Sequence, residues 1–200
     1  VGLVILFVAG VMMWKFILTA IAGLISIPIL WNFVLHNYQK DRIINFLNPN
    51  NDPMGTGYNI IQSKIAVGSG GLFGKGFVNG TQTQLGFLPE KQTDFIFTIL
   101  SEEFGFIGSV SIVFLCAFIT FISIFSATKS FNQYSRLVIT GITSIFFFHS
   151  FINIGMSIGL LPVVGAPLPF MSYGGTITAT MLIGFGFVLN VCLYKDSELL

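Results

Sequence analysis

Residues 104–127 read FGFIGSVSIVFLCAFITFISIFSA, 24 positions without a single Asp, Glu, Lys or Arg. A bilayer core needs roughly 20 apolar residues per helix. A soluble helix of this length would carry a polar stripe toward water, and none is present here. The Ser and Thr residues are tolerable in hydrocarbon because their hydroxyls can bond back to the preceding turn. This stretch therefore reads as a membrane span. The whole chain agrees with it: 54% of its 200 residues are hydrophobic and 8% are charged, where a soluble domain carries about 25% charged residues. The solvent for most of this surface is lipid.

Working outward, apolar runs cover 1–14, 16–35, 137–161 and 177–194 as well. The expected fold is an all-α polytopic membrane bundle of about five spans, with a long polar loop over 36–93. Val1 opens inside an apolar run with no positively charged leader before it, which predicts a piece of a longer protein rather than a signal peptide. Lys15, Lys129, Arg136 and Lys195 fall on one side if the spans alternate, and that side is expected to be cytoplasmic, with the long loop outside. The net charge of +1 argues against a nucleic-acid partner. Cys116 and Cys192 lie in apolar runs, which indicates neither a disulfide nor a zinc site.

Within the loop, Tyr58, Ile61 and Ile65 recur at helical spacing opposite Asn59 and Lys64, predicting a short amphipathic helix over 58–67 at the membrane surface. The glycines that follow, from Gly68 to Gly80, predict a flexible stretch. Gly74-Lys75 is not a phosphate loop, because Ser69 and Gly76 stand where the motif needs Gly and Ser or Thr. The dinucleotide fingerprint fails at Phe73, so no organic cofactor is expected. Asn79-Gly80-Thr81 matches a glycosylation acceptor, a short pattern that carries no function here.

Asp94 is the sharpest candidate. It lies where the polar loop meets an apolar helix, with Thr93 as the expected N-cap. An ionisable group beside hydrocarbon is costly unless it has a task, although a carboxylate there could also serve only the helix dipole. Glu90 is close enough in sequence to share a site. Glu102 and Glu103 stand about 12 Å of helical rise further on and are expected to solvate the helix or bind partners. His149 and Asn153 share a helix face, and packing is the favoured reading. Pro162, Pro167 and Pro169, with Gly165, Gly174, Gly175, Ser172 and Tyr173, predict a re-entrant or surface-lying segment after the fourth run.

The ordered blocks of this region resemble the SEDS family, whose members include RodA and FtsW. They are Tyr38-Gln39-Lys40-Asp41-Arg42, Gly57-Tyr58-Asn59, Gly68 to Gly76, Gly80-Thr81-Gln82, Leu88-Pro89-Glu90-Lys91-Gln92-Thr93-Asp94-Phe95-Ile96, Asn153-Ile154-Gly155-Met156, and Pro167 to Gly175. The Gly-Thr-Gln block is more like the RodA branch. The resemblance implies a ten-span bacterial inner-membrane protein, of which this chain would be roughly the second half. It also implies a peptidoglycan glycosyltransferase that polymerises lipid II during cell elongation, in complex with a class B penicillin-binding protein. Asp94 matches the family's catalytic aspartate. Gly86 departs from the pattern, standing where many members carry a Glu.

An α-linked diphosphate donor and a β-1,4 product mean inversion, which needs one base on the acceptor hydroxyl. Asp94 is the expected base. Glu90, Lys75, Lys91, Arg42, Gln82, Ser172 and Tyr173 form the expected substrate-binding or supporting set, with Lys75, Lys91, Arg42 or a divalent cation (Mg or Mn) meeting the diphosphate charge. The competing readings are a flippase for the lipid-linked precursor and a non-catalytic scaffold for the penicillin-binding protein.

Overall fold

A computed structural model describes residues 1–48, 56–85, 92–130 and 132–193. Every regular element among them is helical. In chain order they are α1 (Gly2–Val8), α2 (Met13–Ile29), α3 (Asn37–Leu47), α4 (Thr56–Ser69), α5 (Thr81–Gln84), α6 (Ile96–Thr128), α7 (Gln133–Ser157) and α8 (Gly175–Leu193), with a π-helical turn, Leu30–Val34, extending α2.

Among the described residues four helical stretches are long and apolar enough to cross a membrane: Met13–Val34, Ile96–Thr128, Gln133–Ser157 and Gly175–Leu193. The expectation was about five. The first apolar run breaks at Gly10, which adopts φ +88°, instead of at Lys15. Lys15 sits inside α2, where its alkyl stem can lie along apolar surface while the ammonium reaches outward. The seven-residue α1 packs against α7, where Gly141 leaves room for Ile5: a Cβ there would stand 3.3 Å from Ile5 Cδ1. Pro28, which lacks an N–H and crowds the preceding turn, lies near the end of α2, and the π-turn follows it. In that turn Leu35 N–H donates to the Leu30 carbonyl (2.9 Å), and Asn32 Nδ2 donates to the Pro28 carbonyl (2.9 Å).

The bundle core lies between α6, α7 and α8. Ala127, Ile139 and Val188 are buried together, with Ile142 and Phe185 against them. Gly184 brings α8 close to α7, since a Cβ there would meet Ile142 Cγ2 at 3.0 Å. Phe146 and Phe185 pack edge to face at 5.4 Å. Small residues at such crossings let backbones approach where no water drives association.

The region 36–93 is more structured than a loop. Its described residues hold α3, α4 and α5. Helix α4 exceeds the expected 58–67 at both ends, and its fully buried side chains are Ile60, Ser63 and Ala66, while Ile65 is exposed. The buried stripe thus lies beside the one formed by Tyr58, Ile61 and Ile65.

Helix α6 is broken at Gly105 (φ 66°, ψ −158°). The break frees backbone groups on both sides, and the glycine-rich stretch after α4 satisfies them. Lys75 and Gly76 N–H groups donate to the Glu102 and Glu103 carbonyls, each at 3.0 Å; Phe106 and Ile107 N–H groups donate to the Gly71 and Leu72 carbonyls at 2.8 and 3.2 Å. Contact is backbone to backbone, and glycine permits it. A Cβ at Gly74 would lie 2.0 Å from the Glu103 oxygen, one at Gly70 2.1 Å from the Ser101 oxygen, and one at Gly105 2.3 Å from the Gly74 nitrogen. The glycines read as flexible therefore form a plug docked into a helix break. Backbone polar groups at membrane depth must find protein partners, and this plug supplies them.

Candidate active site

The site is built where the turn before α6 meets the segment between α7 and α8. Helix α7 ends in a Schellman arrangement: Gly159 (φ +73°) donates to the Met156 carbonyl at 3.1 Å, and Leu160 to the Gly155 carbonyl at 2.8 Å. Pro162 follows and prevents continuation. The chain then returns across α7 as the expected irregular segment, with Leu168 and Ser172 buried.

That segment and α7 hold the backbone on either side of the Asp94 side chain. Ser172 Oγ donates to the Thr93 carbonyl (2.6 Å) and accepts from Leu168 N–H (2.7 Å). Asn153 Nδ2 donates to the Asp94 carbonyl (2.8 Å) and to the Ala166 carbonyl (2.7 Å). Tyr173 N–H donates to the Gln92 carbonyl at 2.9 Å. Three successive carbonyls, from Gln92 to Asp94, are thus fixed by partners 59 to 81 positions away in sequence. The half-buried Asp94 carboxylate faces Gly165 (φ +74°), where a Cβ would stand 3.2 Å from Oδ2.

Two local expectations are corrected. Helix α6 begins at Ile96 with Phe95 as its N-cap, and no side chain caps it. Thr93 is not the cap, and Asp94 precedes the first helical turn, because Ser172 and Asn153 take up the carbonyls of this turn and set its path. Glu102 does not solvate the helix. It is fully buried, and its Oε1 accepts from Lys75 Nζ (2.8 Å), Thr81 Oγ1 (3.2 Å) and Gln82 N–H (3.0 Å). Glu103 is buried as well.

The expected supporting residues divide accordingly. Arg42, on α3, reaches the site's own segment: its Nη1 donates to the Val163 carbonyl at 3.2 Å, two residues from Gly165. A guanidinium carries five N–H donors, so capacity remains for an anion. Ser172 shapes the turn. Tyr173 is 81% exposed and stands at its rim. Lys75 belongs to the plug, where Glu102 meets its charge. Gln82 sits beside that pair, with its Oε1 buried and without a hydrogen-bond partner among the described residues. Glu90 and Lys91, like Gly86, lie outside the described residues. Sequence reading missed the clamp role of Asn153, whose shared face with His149 pointed to packing first and to lining a cavity second. It also missed Lys64, whose Cε stands 1.9 Å from the position of a Cβ at Gly159, so that a second cation crosses the start of the irregular segment. Among the described residues no group of three or more His, Cys, Asp or Glu could hold a metal ion.

A bundle of apolar helices in which an irregular segment folds over one positioned carboxylate is a polytopic membrane protein with a site at a helix end. The chain belongs to the FtsW/RodA/SpoVE family of cell cycle proteins, whose model matches residues 1–197. It is 46% identical over 195 residues to the peptidoglycan glycosyltransferase MrdB of Escherichia coli K12, covering 97% of this chain and 52% of that protein. It is 44% identical over 160 residues to the peptidoglycan glycosyltransferase RodA of Treponema pallidum, covering 79% and 36%. Stage V sporulation protein E of Bacillus subtilis is 43% identical over 194 residues, covering 96% and 52%. The chain thus spans about half the length of the Escherichia coli and Bacillus subtilis relatives. Among solved structures, a chain of a peptidoglycan synthase complex that coordinates polymerization and crosslinking superposes with a TM-score of 0.75 at 31% identity, covering 98% of this chain and 54% of that one. A mutant of the Thermus thermophilus rod shape determining protein RodA superposes at 0.53 and 23% identity, covering 82% and 60%, a likeness of fold alone.

Proposed function

We propose that this chain carries the catalytic aspartate of a peptidoglycan glycosyltransferase, which polymerises lipid II into β-1,4 glycan strands during cell elongation. The observation that carries the reading is the placement of Asp94. Its backbone is held from two directions, and its carboxylate is set against a glycine at the edge of an irregular segment. The names of the relatives support the activity.

In this mechanism the Asp94 carboxylate takes the proton from the acceptor GlcNAc 4-hydroxyl as that oxygen attacks the donor's anomeric carbon. The C–O bond to the diphosphate breaks with inversion, and the undecaprenyl diphosphate leaves with the electron pair. Arg42 supplies charge to the leaving diphosphate, its guanidinium matching phosphate oxygens in a fork. A divalent cation (Mg or Mn) on the diphosphate would need only one or two protein carboxylates beside the phosphate oxygens, and the half-buried Asp94 is a described carboxylate that would serve it. The large region between α2 and α6 faces the outside of the bacterial inner membrane, where the lipid-linked donor is used. The working partner is a class B penicillin-binding protein, a proposal supported by the synthase complex among the structural neighbours.

The test is Asp94→Asn in the intact protein, assayed for lipid II polymerisation in detergent or vesicles. General-base catalysis contributes about 10²–10⁴-fold, so polymer formation should fall by that factor while the protein stays folded. A wild-type rate would overturn the assignment and favour lipid transport. Loss of polymer with retained partner binding would count against a pure scaffold.

A further inference from the structure

The stretch from Gly70 to Gly80 contains one charged residue, Lys75, and its side chain turns inward. The ammonium meets the buried Glu102 carboxylate at 2.8 Å and keeps 26% side-chain exposure. The large apolar side chains of the same stretch turn the other way. Phe73 is 80% exposed and Phe77 74%, with Leu72 and Val78 also exposed. A loop in water has the reverse arrangement, because a hydrated lysine is at home on the surface and an exposed Phe is not. Against hydrocarbon, this arrangement is the favourable one: the charge is paired inside and the rings face out.

The position of the plug along α6 agrees. The bonds from Phe106 and Ile107 N–H groups to the Gly71 and Leu72 carbonyls set the plug beside the first turn after the helix break. That turn lies within the apolar stretch Ile96–Thr128, and Phe104, Phe106 and Ile107 are exposed there. The Phe77 ring lies 6.3 Å from the Phe104 ring. The exposed apolar surface therefore continues from α6 onto the plug. The plug's backbone bonds to α6 are also those that a segment in a dry environment requires.

We propose that residues 72–78 are set into the bilayer, with Phe73 and Phe77 in contact with lipid acyl chains. The plug is then a lipid-facing element of the fold. Asn79 and Gly80 begin its return toward the polar side, to α5. This proposal is independent of the reaction assigned to Asp94.

Spin labels on Phe73→Cys and Phe77→Cys test it, each in the intact protein carrying Cys116→Ala and Cys192→Ala and reconstituted in phosphatidylcholine vesicles. Both positions are exposed, and of the two Phe77 gives up a ring contact, with Phe104. Power saturation compares collisions with oxygen, which partitions into hydrocarbon, and with a neutral nickel chelate, which stays in water. Phe118→Cys on α6 is the lipid-facing reference and Tyr134→Cys, beside the α6–α7 connection, the aqueous one. The expected result is an oxygen-to-nickel ratio above one at both plug positions, near that at Phe118. A ratio near that at Tyr134 would place the plug in water and overturn the proposal. Exclusion of both reagents would mean that a protein surface covers the plug, and that outcome overturns it too.

Discussion

Asn153 holds the carbonyl of Asp94 at 2.8 Å and the carbonyl of Ala166 at 2.7 Å with the same amide nitrogen. One side chain on α7 thus ties the turn that carries the carboxylate to the segment that faces it. Asn153 is fully buried, so water cannot take over its role. Asn153→Leu keeps the volume and removes the donor. Each of these partly buried carbonyls that loses its partner costs up to about 1–3 kcal/mol. The variant is expected to melt several degrees lower in detergent and to polymerise at least about tenfold more slowly per folded molecule, since a small misplacement of a catalytic group can cost up to about 10²-fold. Unchanged activity with a lowered melting temperature would reduce Asn153 to a purely structural residue.

Gly165 faces the carboxylate itself. Its φ of +74° favours glycine, and an added methyl would stand 3.2 Å from Asp94 Oδ2. Gly165→Ala therefore combines roughly 1–2 kcal/mol of backbone strain with a push on the proposed base. Positioning errors of this size reduce rate more than binding. The expected outcome is a lower kcat with KM for lipid II changed less than twofold, read by steady-state polymerisation. A rise in KM alone would show that Gly165 shapes substrate binding and not the base.

The membrane class and the irregular proline-rich segment after α7 were legible in the sequence, and Asp94 stood out there as the candidate carboxylate. Each depends on local pattern: an uncharged run, a charge beside hydrocarbon, prolines that end a helix. The plug was not legible. Gly70, Gly74 and Gly76 announce freedom of φ, but a sequence does not say whether that freedom serves motion or close contact. Here the contact is with Glu103 and Gly105, about 30 positions away in the chain. The same distance hid the partnership of Lys75 with Glu102. It also hid the burial of Glu102 and Glu103, which read as residues that solvate the helix or bind partners until the plug is seen to cover them.

The Lys75–Glu102 pair makes a prediction about stability. Lys75→Met leaves a fully buried carboxylate without its cation, a change that costs about 3–5 kcal/mol for buried pairs. The Lys75→Met/Glu102→Gln double variant removes both charges, and the glutamine oxygen can still accept from Thr81 and Gln82. The double variant should recover most of the melting temperature lost by the single one. Additive losses in the thermal melts would mean that the two side chains are not energetically coupled.

Arg42 offers the sharpest division between holding the fold and handling substrate. Its bond to the Val163 carbonyl, at 3.2 Å, uses one of its donors, and Lys can replace that bond but cannot offer a fork to a diphosphate. Arg42→Lys should keep the melting temperature within a degree or two of wild type. Polymerisation should nevertheless fall by about 10-fold or more, in line with the 1.5–3 kcal/mol that hydrogen bonds to charged groups contribute. The defect should appear with lipid II and grow when monovalent salt is raised, because screening weakens what remains of the attraction. A variant that melts early and polymerises normally per folded molecule would assign Arg42 to the fold. The diphosphate would then need its countercharge from another cation, and Lys64, already lying across Gly159, would be the next residue to replace.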